Sequence, residues 1–536
     1  MSNKRFLRLS GQLGVIVASA WLLCLAALWN GQPFYYPDTR TYVRGAEMGA
    51  SRVLGPAAFE PWLAEPQNTA PAPGSASPAA PSEGSKATSL SSIEEKIVLS
   101  GRSFYYGVLL YAGALTGKMW LSVVLQAVMV AYVLYVVMVR LWCLRRRHVV
   151  GMAAALSLLT PLGAYTGFLM PDVFAPLCIL LTGVLALYWR ELALMHRWGL
   201  AGVLLFGLTA HTSHLAVAAL LLMLLLLARL LSARWRRLPW IGLVAVAGCI
   251  AAGLAAEWAF NKAVTVAVGA PPLRLPHLMG HLIDMGPGTA YLKKHCPQAD
   301  YAACAFVKNY PTYWEDFLFS TNPGNGAFAL ADAATKRRLS AEQFRFAADV
   351  LRADPVGVVG GMGAEVLHQL VNFRVDIAHY SQETLATQYE GRLPPEIFAD
   401  MQRSRAARLF PLDRWLTVTT YATVLVSLAL AGLWWRRHRS APEGAAEGQA
   451  APRRQLSQLS QLAWIVMAGV VANAAVCAIL ASSLDRFQAR VMWLLPFLAF
   501  SVLSMARRAP AVHAGAALKN PATPPPATSS LLGTTP

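Results

Sequence analysis

Charge is scarce in this chain: 14% of its 536 residues are Asp, Glu, Lys or Arg, and only 28 of them are acidic. Soluble domains carry about a quarter charged residues, so a water-soluble body of this size is excluded. No P-loop is present, nor a Gly-x-Gly-x-x-Gly following a strand. The polar connections between apolar runs on the basic side are also too short for a nucleotide-binding domain, which argues against a nucleotide-sugar donor. Internal repeats and inverted halves are missing, and the apolar interiors are almost free of ionisable residues; both weigh against a transporter. Of the seven cysteines, Cys24, Cys178, Cys249 and Cys477 lie in apolar runs and Cys143 beside a basic cluster, where they read as small hydrophobes. Cys296 and Cys304 flank a short polar stretch and suit a disulfide if that region faces an oxidising compartment.

What is abundant is apolar length. Hydrophobic residues make up 56% of the chain and the mean hydropathy is +0.42. A helix crosses a bilayer with roughly 20 apolar residues. Suitable runs lie at 12–30, 119–142, 149–170, 173–188, 198–210, 215–231, 240–260, 415–435, 462–484 and 491–505. The expected fold class is therefore mainly α: a polytopic helical membrane protein of about ten spans. The net charge of +18 comes largely from short basic clusters bordering these runs, which is orientation information and not a nucleic-acid surface.

Lys4, Arg5 and Arg8 precede the first run, so the N-terminus is expected in the cytoplasm, with that run a signal anchor. Alternate threading then puts Arg145–Arg147, Arg190 with Arg197, Arg234 with Arg236–Arg237, Arg436–Arg437 with Arg439 and Arg453–Arg454, and Arg507–Arg508 in the cytoplasm. Arg403, Arg405 and Arg408 fall on the outer side, in a long region that escapes the rule. Four parts follow: a first membrane module (1–260), an outer domain (261–413), a second membrane module (414–509) and a disordered tail (510–536). The first module holds an outer loop at 31–118 with a Pro/Ala/Ser/Gly-rich insert near 65–88, expected to be disordered. Past the insert, Phe104-Tyr105-Tyr106-Gly107 opens a stretch too short to span, read as an interfacial helix. The outer domain is expected to be mostly helical, with a helix near 340–352 and a Gly-rich patch at 357–363.

This threading places Asp38, Asp172, His211, His214, Asp485, Arg486 and Arg490 on one side of the membrane. Ionisable groups near hydrocarbon face a cavity or a partner, so their convergence marks a functional site. The order of features resembles the GT-C glycosyltransferases, such as protein mannosyltransferases and the aminoarabinose transferase of lipid A. The resemblance rests on Pro37-Asp38-Thr39-Arg40-Thr41-Tyr42 after the first span, the Tyr-rich helix from Phe104 to Tyr111, and Phe168-Leu169-Met170-Pro171-Asp172. It covers the first 190 or so residues well and the remainder in layout. It implies an inner-membrane enzyme of bacterial type that takes a sugar from a polyprenyl-phosphate donor to a hydroxyl on a glycan, lipid or protein. The family often carries an acidic pair in the first loop, whereas Thr39 follows Asp38 here, so subfamily and metal requirement stay open.

In that reading Asp38 is the base that takes the acceptor's proton, and Asp172 holds a metal or orients the acceptor. An Asx turn at Asp38 and an N-cap at Asp172 are the plainer alternatives. Arg486 and Arg490, four apart on one helical face beside Asp485, are expected to grip the lipid phosphate, with Arg102 a further ligand. Snorkelling at a helix end is the alternative for the arginines. Tyr42 and Tyr105, with Tyr35, Tyr36 and Tyr106, suit either sugar stacking or an interfacial belt. His211 and His214 share a helix face that suits a divalent metal, with no third ligand in view. Two other functions fit the same features: a lipid-linked glycan polymerase or ligase, which rests on outer arginines, and a lipid or glycan flippase.

Overall fold

The structure is a computed structural model, and it describes residues 3–55, 95–408, 412–439 and 450–506. The expected disordered insert at 65–88 and the tail at 510–536 lie outside the described residues. What is described is mostly helical.

Among the described residues, seven helices are long and apolar enough to cross a membrane: Trp120–Leu141, Pro171–Tyr188, Thr212–Leu231, Trp240–Val268, Leu412–Trp434, Ser457–Leu480 and Asp485–Met505. The runs at 12–30 and 198–210 give the shorter apolar helices Ser10–Leu23 and Leu194–Ala210. The run at 149–170 is divided into Arg146–Leu159 and Leu162–Gly167, because Pro161 follows Thr160, which is extended. A proline disfavours the helical conformation of the residue before it and withholds an N–H from the ladder.

Every residue of the helix Phe174–Tyr188 is buried. A helix that is apolar all round belongs at the centre of a bundle, and Leu194–Ala210, Thr212–Leu231, Trp240–Val268 and Ala450–Leu480 pack around it. Gly242 sets one of these approaches, since a Cβ there would stand 2.4 Å from the Ala186 carbonyl oxygen. Round the perimeter, Leu194, Trp198, Leu231, Val244, Trp258, Trp415, Val418 and Leu425 are exposed. Exposed apolar surface on this scale is what a lipid-embedded bundle presents.

A second apolar core, separate from the bundle's, is built from residues between Leu275 and Val358. It unites the helices His277–Met285, Pro287–His295, Trp314–Phe319 and Ala333–Ala353, and a Cys296–Cys304 disulfide closes one of its loops. The helix expected near 340–352 starts earlier, at Ala333, because Asp332 caps it by accepting from the Thr335 N–H at 2.8 Å. The Gly-rich patch is helical within Pro355–Val371, capped by Asp354. Two short parallel strands, Leu99–Ser100 and Leu273–Arg274, tie the first loop to the start of this unit. The chain then returns to the bundle, where Phe373, Ile377, Tyr380, Leu385, Tyr389 and Met401 join the larger core.

Candidate functional site

The site begins where the first loop is stitched to the segment ahead of Asp172. The Phe34 N–H donates to the Gly167 carbonyl and the Leu169 N–H donates to the Phe34 carbonyl, each at 2.9 Å. Thr39 locks the junction twice: its hydroxyl donates to the Leu169 carbonyl at 3.1 Å and accepts from the Tyr36 N–H at 3.0 Å. Pro37 opens the helix Pro37–Leu54, with Asp38 in its first turn, where a carboxylate suits the helix dipole. Neither plainer reading of the aspartates describes their main contacts, because both carboxylates are engaged by arginines from distant segments.

Asp38 Oδ1 accepts from Arg102 Nη2 at 2.6 Å, with the side chains 25% and 20% exposed. Oδ2 of Asp38 makes no hydrogen bond among the described residues. Arg102 stands just before the helix Phe104–Leu115, whose contact with Pro37–Leu54 is close: a Cβ on Gly107 would lie 2.5 Å from the Tyr42 carbonyl oxygen. Burial works against the Arg102 charge, but Asp38 more than offsets it, so the guanidinium pKa is raised.

Asp172 and Arg490 form the deepest ion pair. Arg490 Nη1 donates to Asp172 Oδ1 at 3.1 Å with the side chains 3% and 4% exposed. Arg490 Nη2 donates to Asn473 Oδ1 at 3.2 Å and approaches the Cys477 sulfur at 3.4 Å. Asn473 is in turn fixed by donating to the Phe487 carbonyl at 2.7 Å and to Gln488 Oε1 at 3.1 Å. Arg490 is thus buried and engaged, not snorkelling.

Arg486 stands one turn before it and is placed differently. Its guanidinium lies 4.1 Å over the Tyr36 ring, and Tyr165 donates to its backbone carbonyl at 3.0 Å. Nε and Nη1 of Arg486 are buried and have no hydrogen-bond partner among the described residues. Two unsatisfied guanidinium donors in a buried position are costly unless something fills them. An anion is the natural occupant.

Four of these charges meet around Tyr42. Burial raises the Tyr42 hydroxyl pKa, Asp38 and Asp172 push it further up, and Arg102 and Arg486 pull it down. Tyr42 packs edge-on to Tyr106 at 5.2 Å, and the Tyr106 hydroxyl donates to Gln126 at 2.9 Å. The sequence-expected Asp38, Arg102, Tyr42, Asp172, Arg486 and Arg490 therefore gather at one end of the bundle. Of the remaining candidates, His211 lies close enough to Arg490, Asp172, Arg102 and Arg486 to feel their charges, while Asp485 and Tyr105 are taken up by other partners. Asp485 is held by Arg374 at 2.6 Å, and the Tyr105 hydroxyl donates to the Ala256 carbonyl at 2.8 Å. His211 and His214 rings are 5.5 Å apart, with His214 Nδ1 on the Gly207 carbonyl at 2.9 Å. Among the described residues, no three His, Cys, Asp or Glu side chains gather as metal ligands.

Several participants were not among the sequence candidates. His277, from the second unit, stands close enough to Arg102 and Asp38 to feel both; burial lowers its pKa to about 4 and Arg102 assists. Burial raises the pKa of Glu315 and of Asp376, and Arg486 opposes the rise at both. Arg374-Val375-Asp376 sets two charges in an otherwise apolar segment, a pattern that could have marked them; nothing local marks Asn473 or Gln488. A small cavity lined by Arg102, Ser103, Phe104, Tyr105, His211, Glu257 and Phe260 adjoins the site on the side of the helix Trp240–Val268. No protein-family model matches the chain, and no curated protein or solved structure matches it.

Proposed function

We propose that this protein is a membrane glycosyltransferase of GT-C type, using a polyprenyl-phosphate sugar at the extracytoplasmic face of a bacterial inner membrane. In this reading about ten segments cross the bilayer, the three shorter or divided ones included. The N- and C-termini lie in the cytoplasm and the Asp38 end of the bundle lies outside. The observation that carries the chemistry is Arg486: two buried guanidinium donors without a partner among the described residues, near a partly exposed Asp38 carboxylate.

The acceptor hydroxyl donates to Asp38 Oδ2, and its oxygen attacks the anomeric carbon as the bond to the phosphate oxygen breaks. The proton passes to Asp38, and the lipid phosphate leaves with the bonding pair, its negative charge met by Arg486. Arg102 holds the Asp38 carboxylate in place through Oδ1, which leaves Oδ2 for the acceptor. Asp172, buried against Arg490, positions that arginine and the helix that carries Arg486.

The test is glycosyl transfer in membranes that carry Asp38→Asn. A base contributes about two to four powers of ten in rate, so transfer should fall by about that factor. Near-normal transfer by a well-folded variant removes Asp38 as the base. Arg486 favours a second reading, a lipid-linked glycan ligase, in which Arg486→Gln abolishes activity while Asp38→Asn leaves it intact. Movement of an unchanged lipid-linked sugar across vesicles would instead indicate a flippase.

A further inference from the structure

The helix Pro37–Leu54 has a second charged face. Asp38 and Tyr42 are four apart and look into the site; Arg40 and Arg44, also four apart, lie about 200° round the helix from them. A third arginine is brought to that face by the returning chain. The Tyr35 N–H donates to the Tyr380 hydroxyl at 2.7 Å, and the hydroxyls of Tyr380 and Tyr389 donate back to the Tyr35 carbonyl at 3.2 and 3.3 Å. Arg392 follows at once, its N–H on the Tyr389 carbonyl at 3.0 Å. These bonds fix Arg392 against the start of the Arg40 helix.

Arg40 and Arg44 are half-buried and Arg392 is exposed. None of the three side chains makes a hydrogen bond or ion pair among the described residues. Burial, then repulsion from Arg44 and Arg392, lowers the Arg40 pKa to about 10. Partly buried cations are normally paired, and Arg40 instead feels repulsion from Arg44 and Arg392 with no carboxylate bonded to any of the three among the described residues. Rigid tyrosine contacts keep them together all the same.

We propose that Arg40, Arg44 and Arg392 form a second anion site that takes a phosphate group, separate from the Arg486 position and independent of glycosyl transfer. Guanidinium forks bind phosphate in bidentate fashion, which suits a compact trio better than it suits a diffuse basic surface. The site stands on the same short helix as Asp38, so a phosphate-bearing molecule bound there sits one helix width from the proposed base. Its source is either a phospholipid headgroup or free phosphate.

The experiment measures binding of short-chain phosphatidylglycerol, inorganic phosphate and short-chain phosphatidylcholine to the full-length protein in neutral detergent. Wild type is compared with Arg392→Gln, Arg40→Gln and Arg486→Gln. A charge-assisted contact carries about a tenfold factor in affinity, so Arg392→Gln and Arg40→Gln should each weaken anion binding about tenfold. Arg486→Gln should leave a binding component that the other two variants remove. Binding of phosphatidylglycerol with that pattern assigns a lipid headgroup; the same pattern with inorganic phosphate alone assigns the free ion. Affinity for both phosphatidylglycerol and inorganic phosphate unchanged in Arg392→Gln and Arg40→Gln, or phosphatidylcholine bound as tightly as a phosphatidylglycerol that does bind, overturns the proposal. Arg392 is exposed in a turn, so its variant stays informative if Arg40→Gln fails to fold.

Discussion

The buried pair Asp172–Arg490 gives the sharpest test of how the site is held. Asp172→Ala removes one charge from a contact whose side chains are 4% and 3% exposed. Arg490 then keeps Asn473, Cys477 and the Phe487 ring but no counter-charge in contact among the described residues. Breaking a buried pair on one side costs about 3–5 kcal/mol, because the remaining charge is uncompensated. Asn473→Ala removes one acceptor of Arg490 together with the two bonds that Asn473 donates to Phe487 and Gln488, and should cost at least about 1.5–3 kcal/mol, the range for a hydrogen bond to a charged group. Replacing both partners, Asp172→Leu with Arg490→Met, removes the stranded charge and should recover most of the loss. The assay is unfolding of the detergent-solubilised protein by SDS titration, followed by tryptophan fluorescence. A double-mutant coupling near zero, with Asp172→Ala no worse than a surface change, would refute the argument.

Three further outcomes are expected. Gly107→Ala should destabilise by about 1–3 kcal/mol, because the added Cβ would lie 2.5 Å from the Tyr42 carbonyl and force apart the helices that carry Asp38 and Arg102; equal unfolding midpoints in the same titration would contradict that crossing. His277 has its folded pKa lowered to about 4 by burial and by Arg102, so the unfolded chain binds more protons between that value and the ordinary 6.5. The stability this gives is full above pH 6.5 and is lost as pH falls towards 4; His277→Gln should flatten the loss by about 1–2 kcal/mol, and an unchanged pH profile would count against the burial. Reducing Cys296–Cys304, which are 8 apart in sequence, should cost the second unit about 2–3 kcal/mol on the chain-entropy account, read as faster proteolysis of 275–358 under reductant.

The membrane character was legible because it depends on composition and on run length alone: long apolar helices follow from long apolar runs, and a lone Pro161 accounts for the one that is divided. The candidate residues were legible for the same reason, since an ionisable group at the end of an apolar run is conspicuous wherever the chain later goes. Their division of labour was not. Arg486 and Arg490 are equivalent by spacing, yet Asp172 and Asn473 take up Arg490 while Arg486 lies over Tyr36 with two donors unfilled. Asp485, adjacent to them in sequence, is drawn to Arg374.

The sequence by itself determined which segments are apolar, which charges stand at their ends, and that those charges gather at one end of a helical bundle. Only the tertiary structure decided who pairs with whom. Asp38 meets Arg102 across 64 positions and Arg490 meets Asp172 across 318. Spacing along a chain fixes a residue's height and face on its own helix, whereas the partner it meets is set by the rotation and register of a different helix, and that is decided by packing.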